Sequence, residues 1–298
     1  MYLKYVFSIT FSNLNLVFKT LLYSLAAIVI AAAIGAGVLV PTLRPIYDEI
    51  MGAGYLDAVG ATVEKVLNGS YTVSKAADTI GAMMDEVALI IASHSGKLYL
   101  SYVFLGFLLF LIGFLRAFFD IGVASSASGY MSAKMRSKLL PAAFSRMGRS
   151  AGYAGLKTLV SGAATILIFL AVGFFIRYTA PFLNIFSAAI GIAMLIGLFS
   201  VKFAFLSRWV PRVAEGEKVV VALKQSLKVQ GFSMRFSSAL LLYTTIVISV
   251  LTLTLPTFGF FLILIFPVGN CMLRVMEMVN YYVENKRKFY TDDFVVIG

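Results

Sequence analysis

The sequence predicts an all-α fold: a polytopic membrane helix bundle of six transmembrane helices, arranged as three hairpins, with cytoplasmic interfacial amphipathic helices and an external helical hairpin. Three observations predict it. Of 298 residues, 60% are hydrophobic and only 13% are charged, where soluble domains carry about 25% charged residues. The apolar residues gather into continuous runs long enough to cross roughly 30 Å of hydrocarbon at 1.5 Å per helical residue. The lysines and arginines that flank those runs are distributed very unevenly between alternate connectors. Mean hydropathy is +0.91, and the whole chain, 1–298, is read as one integral membrane domain.

Residues 1–20 are expected to form an N-terminal interfacial segment. The first span follows at 21–43. It is read as a retained span and not a cleaved leader, because it exceeds a signal peptide's apolar region and twenty mostly apolar residues precede it. Ala27, Ala31 and Gly35 recur every four residues in it, which permits close helix packing. The second span is 98–115, continuing toward 119. The third is 159–176, the fourth 183–205, the fifth 238–255, and the sixth runs from 258 to about 279. Pro41, Pro45, Pro181 and Pro256 fall at span ends or in external turns, Pro141 and Pro211 in cytoplasmic connectors, and Pro267 alone inside a span.

With the N-terminus inside, 20 of the 25 lysines and arginines lie on the cytoplasmic side, in residues 1–20, the connectors 116–158 and 206–236, the inner ends of the fourth and sixth spans and the tail 280–298. Arg44, Lys65, Lys75, Lys97 and Arg177 are left outside. That asymmetry sets the orientation and places both termini on the cytoplasmic side of the membrane. The net charge of +11 then points to anionic lipid at the cytoplasmic face, and not to nucleic acid.

The segment 44–97 reads as an extracytoplasmic helical hairpin capping the first two spans. Leu56, Val59, Val63, Val66 and Leu67 form one stripe, Asn68-Gly69-Ser70 a turn, and Ile80, Met83, Met84, Val87 and Ile91 a second stripe. Each odd-numbered span is entered through a basic residue, Lys19, Lys157 or Arg235, and an amphipathic stretch precedes each. The third stretch is clearest: Val220, Leu223 and Leu227 oppose Lys224 and Lys228, and Gly231 can end it in a left-handed turn. Pro141 to Ser150 and residues 3–17 are the other two. The pattern reads as an interfacial helix and a two-span hairpin repeated three times, or as three ordinary basic loops.

One connector carries a family resemblance. Val210-Pro211, Gly216 and then Ala222-Leu223-Lys224-Gln225-Ser226, continuing to Gly231-Phe232, resemble the Ala-Leu-basic-x-Ser…Gly-aromatic connector of the bacterial membrane-domain family found beside glycerophosphodiester phosphodiesterases and its uncharacterised relatives. The match covers roughly 25 residues. It implies six spans with interfacial helices and carries no activity, because the phosphodiesterase catalytic domain has no counterpart here.

No catalytic motif is present: no phosphate loop with Gly-Lys-Ser/Thr, no His-Glu-x-x-His, no Gly-x-Ser-x-Gly. The single cysteine, Cys271, excludes an internal disulfide, and the single histidine, His94, excludes a His-rich metal site. An enzyme and a cofactor are therefore not expected. Charge at the membrane ends is the place to look for function. Arg116 and Asp120 are four apart on the second span, Arg274 and Glu277 three apart on the sixth, and Lys202 lies at similar depth on the fourth. Such neighbours pair on one helix face or anchor the span at the interface. In the sixth span Pro267, Gly269 and Asn270 predict a kink, and in the fifth Thr245, Ser249 and Thr252 share a face. Together they offer a polar path, or serve only to pack helices. The functional expectation is a structural or accessory envelope protein with a membrane-protein partner, and the alternative is a carrier or lipid-handling protein with its path between the fifth and sixth spans.

Overall fold

The computed structural model describes residues 2–134, 139–183, 185–254, 260–291 and 295–297. Arg136 and Lys138, counted above, and Pro256 with the start of the sixth run lie outside the described residues. The fold is all-α apart from one short terminal hairpin. Among the described residues, five helices are long and apolar enough to cross a membrane.

α1 (Tyr2–Ser12) is followed by α2 (Leu14–Gly52). The break between them is local: Asn13 Nδ2 donates to the Ile9 carbonyl at 2.9 Å and Ser12 Oγ to Ser8 at 2.6 Å, so side chains compete for the carbonyls that a continuous helix would use. α3 (Tyr55–Leu67) and α4 (Val73–Ser93) form the predicted hairpin, and α5 (Ser95–Ala133) follows. Then come α6 (Leu139–Phe144), α7 (Met147–Leu183), α8 (Ile185–Leu206), α9 (Trp209–Ala214), α10 (Val219–Ser226), α11 (Phe232–Thr254) and α12 (Phe260–Glu284). β1 (Lys288–Tyr290) pairs antiparallel with β2 (Val295–Ile297).

The helices outrun the predicted spans. α2 and α5 have 39 residues each and α7 has 37, roughly 55–60 Å at 1.5 Å per residue. Pro41 and Pro45 lie inside α2 and Pro181 inside α7, where a span end or turn was expected. An apolar run marks how far a helix is lipid-compatible, not where its backbone hydrogen bonding stops. One proline removes one such bond, which a long helix with good neighbours absorbs.

The chain divides into two compact units, residues 28–111 and residues 1–27 with 112–298. In the first, α3 and α4 face each other through Val59, Thr62 and Val66 on one side and Ala76, Ile80, Met83 and Val87 on the other, all buried or half-buried. Gly69 (φ 71°) makes the turn that Asn68-Gly69-Ser70 predicts, and Thr72 caps α4 by accepting from the Lys75 amide at 3.3 Å. The Tyr55 hydroxyl donates to Glu86 at 3.1 Å across the pair.

The second unit has a dense core. Trp209, Tyr153, Ile121, Met131, Leu242 and Met276 are almost fully buried in it. α1 packs against α12 with Val6 and Ile9 inside, so the amphipathic face expected to lie in headgroups is covered by protein. The chain end closes over the same region: Phe289 of β1 sits 5.8 Å from the Tyr5 ring and 6.2 Å from the Tyr282 ring, edge-on to both. Gly122 of α5 touches α6 so closely that a Cβ there would meet the Leu139 carbonyl oxygen at 2.8 Å. By contrast α7 leaves Ile166, Leu167, Leu170 and Phe174 exposed, an apolar surface of the kind that faces lipid.

Candidate functional site

α8 packs against both α7 and α11, and α11 packs against α12. Between these four helices lies a cleft of about 650 Å³, within the size range of small-ligand sites. Helical periodicity places its walls. α8 contributes Ile192, Leu195, Ile196 and Phe199, α11 contributes Tyr243, Ile246, Val247 and Val250, and α12 contributes Ile265 and Gly269. Both long sets follow the i, i+3, i+4, i+7 spacing of one helix face. The walls are apolar almost throughout.

The charge is concentrated where α7, α8 and α12 bring Lys157, Lys202, Arg274 and Glu277 to the cleft, with Arg116 reaching it from α5. Arg274 Nη1 donates to Glu277 Oε1 at 2.6 Å. Lys157 donates to Asp120 Oδ2, and Arg274 Nε lies 3.4 Å from Asp120 Oδ1. That last approach is an ion pair without hydrogen-bond alignment, and the Arg274 Nε donor has no hydrogen-bond partner. Asp120 therefore ties α5, α7 and α12 together. The Lys157 ammonium also stands 5.4 Å from the Tyr153 ring, which packs edge-on against Trp209 at 5.0 Å. Lys202 Nζ donates to Thr165 Oγ1 at 2.7 Å and sits 5.0 Å from the Phe199 ring centre. Neither Lys202 nor Arg116 has a carboxylate partner among the described residues.

Of the residues singled out in the sequence, Arg274 and Glu277 pair along one helix as expected. Arg116 and Asp120 share a small pocket with Asn270, but Asp120 takes its partners from α7 and α12 and not from Arg116. Gly269 and Asn270 line the cleft, while Pro267 is buried beside it. Thr245, Ser249 and Thr252 do not line it. Their face of α11 is turned away from the Tyr243–Ile246–Val250 face, and the Thr245 and Thr252 hydroxyls donate back to the Leu241 and Ile248 carbonyls at 2.9 and 2.8 Å. The face expected to carry a polar path does not line the cleft, and the polar groups that do line it are mainly charged ends and not these hydroxyls. Lys157 and Tyr153 had no site role in the sequence reading. A Tyr–x–x–x–Lys spacing, one helical turn, was their only signal.

A second charged cluster lies away from the cleft. Arg235, fully buried, donates to the carbonyls of Gly231, Ser226, Lys228 and Gln230 at 2.8–3.5 Å and pairs with Glu284 at 3.2 Å. Arg208 pairs with the other oxygen of the same carboxylate. Gly231 (φ 71°) makes the left-handed turn predicted for it, and a Cβ there would meet Glu284 Oε1 at 2.3 Å. Among the described residues no group of His, Cys, Asp and Glu is placed to hold a metal ion. No family model, no curated protein and no solved structure matches the chain.

Proposed function

We propose that the protein is a six-span bacterial membrane protein, with both termini cytoplasmic, that holds a lipid or related amphiphile in this cleft. The observation that carries the reading is the cleft itself: apolar walls along three helices that end in a group of charged side chains. A soluble polar substrate has no use for such walls, and plain helix packing leaves no such volume. The positive-inside pattern puts Lys157, Lys202, Arg274 and Asp120 near the cytoplasmic headgroups, so the apolar walls extend toward the bilayer centre. That geometry supports a lipid-handling role over a purely structural one.

Two measurements test it. For topology, Ser70→Cys in a Cys271→Ala background reacts with a membrane-impermeant thiol reagent added outside, and Ser145→Cys does not; the reverse labelling inverts the orientation. For the cleft, protein purified in mild detergent retains lipid, and Val250→Trp, which fills the cleft, lowers the retained lipid at least fivefold without changing the melting temperature of the lipid-free protein. Equal lipid content in parent and variant removes the cleft as the binding site.

A further inference from the structure

We infer that the cleft takes the phosphate end of an anionic lipid, and that Lys202 and Arg116 are the groups that bind it. This rests on the cleft being an amphiphile site and assigns the chemistry of its occupant. The lining cations Arg116, Lys157, Lys202 and Arg274 face two carboxylates, Glu277 in the lining and Asp120 beside it. Both carboxylates are taken: Asp120 by Lys157 and Arg274, Glu277 by Arg274. Two positive charges are left over. Lys202 has only neutral partners, the Thr165 hydroxyl and the Phe199 ring. Arg116 pairs with no carboxylate among the described residues.

A cation on an apolar, partly desolvated wall is costly unless an anion faces it. No such anion faces Lys202 or Arg116 among the described residues, so the occupant supplies it. Phosphate suits the donors better than carboxylate. Lys202 on α8 and Arg116 on α5 approach from separate helices, and Arg274 Nε remains an unfilled donor. A terminal phosphate offers three acceptor oxygens and close to two negative charges, and arginine binds it through two parallel bonds. The lipid half of the assignment comes from the walls. From Lys202 to Ile192 the lining face of α8 runs ten residues, about 15 Å along the axis, and it is apolar all the way. A free phosphate ion would make no contact with it.

The test titrates the full-length protein in nanodisc or detergent with dioleoyl phosphatidic acid, dioleoyl phosphatidylcholine and sodium phosphate, read by native mass spectrometry and thermal shift. Phosphatidic acid is expected to bind at least tenfold more tightly than phosphatidylcholine. Lys202→Gln and Arg116→Gln should each weaken phosphatidic acid about tenfold and leave phosphatidylcholine unchanged. Lys202→Arg should bind within about threefold of the parent, which separates a charge effect from misfolding, and Arg177→Gln, which removes an exposed charge elsewhere, should have no effect. Equal affinity for the two lipids in the parent, or unchanged phosphatidic acid binding in Lys202→Gln and Arg116→Gln, overturns the inference and leaves the amphiphile reading standing. Inorganic phosphate binding as tightly as phosphatidic acid overturns the assignment to a lipid. Failure of both lipids to bind the parent overturns the amphiphile reading and this inference with it.

Discussion

Arg235 and Lys202 are both cations held largely away from water, and the chain treats them in opposite ways. Around Arg235 the backbone from Ser226 to Gly231 curls so that four carbonyl oxygens and the Glu284 carboxylate meet one guanidinium. Each of its three nitrogens has at least one carbonyl acceptor. Lys202 meets one hydroxyl and the face of a ring, beside about 650 Å³ of cleft. The difference separates a structural charge from an available one. A buried charge with a carbonyl acceptor at every nitrogen locks a connector in place, whereas one left short of acceptors beside a cleft implies a partner from outside the chain.

The largest expected effect follows from the saturated cluster. Arg235→Met leaves the carbonyls of the Ser226–Gly231 turn without their donor and leaves Glu284 with Arg208 alone. Breaking a buried charged network of this kind costs roughly 3–5 kcal/mol. Thermal or chemical unfolding in detergent should show the loss, and Arg235→Lys should recover little of it, because an ammonium has three donors and no fork to reach carbonyls on both sides. A variant as stable as the parent would mean that the carbonyls find other donors and that saturation is not what holds the turn.

Asp120 gives an intermediate effect that tests the comparison from the other side. Asp120→Asn keeps an acceptor for Lys157 but removes the charge that faces both Lys157 and Arg274. Charge-assisted bonds of this type contribute about 1.5–3 kcal/mol, so a moderate fall in stability is expected. At the same time the cleft gains an uncompensated positive charge, and phosphatidic acid should bind more tightly. Lower stability with tighter anion binding would separate the two roles of the cluster, and a parallel loss of both would merge them.

Much of this was legible in the sequence, and the limits have a physical pattern. Features fixed within one or two helical turns came through. The hairpin around Gly69, the left-handed turn at Gly231 and the Arg274–Glu277 pair each depend on residues at most a few positions apart, where local geometry decides. The first five apolar runs came through as well, because lipid compatibility is a property of composition, and for the same reason they understated the helices, which continue through Pro41, Pro45 and Pro181. Contacts between distant segments were hidden. Asp120 has a basic neighbour four residues away in Arg116, yet it takes Lys157 and Arg274 from other helices. Arg235 stood out only as the basic residue at the entry to a span and is a clamp on the preceding turn. The Thr245, Ser249 and Thr252 face was visible because hydroxyls stand out in an apolar run, but those hydroxyls bond their own helix. The cleft face beside it is almost wholly apolar, so composition gave it no contrast.

The smallest expected effect is the sharpest test of the contrast. Lys202→Met keeps the length and the apolar stem of the side chain and removes only the ammonium. No carboxylate among the described residues loses a partner, and the Thr165 hydroxyl keeps its own bond to the Ser161 carbonyl at 2.7 Å. Removing a charge from an apolar wall also removes its desolvation cost. Stability in lipid-free detergent should therefore stay within about 0.5 kcal/mol of the parent, as for substitutions that leave no buried group unsatisfied, or rise slightly. If Lys202→Met instead lowers the melting temperature as far as Arg235→Met does, Lys202 is part of the framework and the distinction between the two clusters fails. If stability is unchanged with lipid absent, and the extra stabilisation that added phosphatidic acid gives the parent is lost in the variant, the ammonium serves the occupant of the cleft and not the fold.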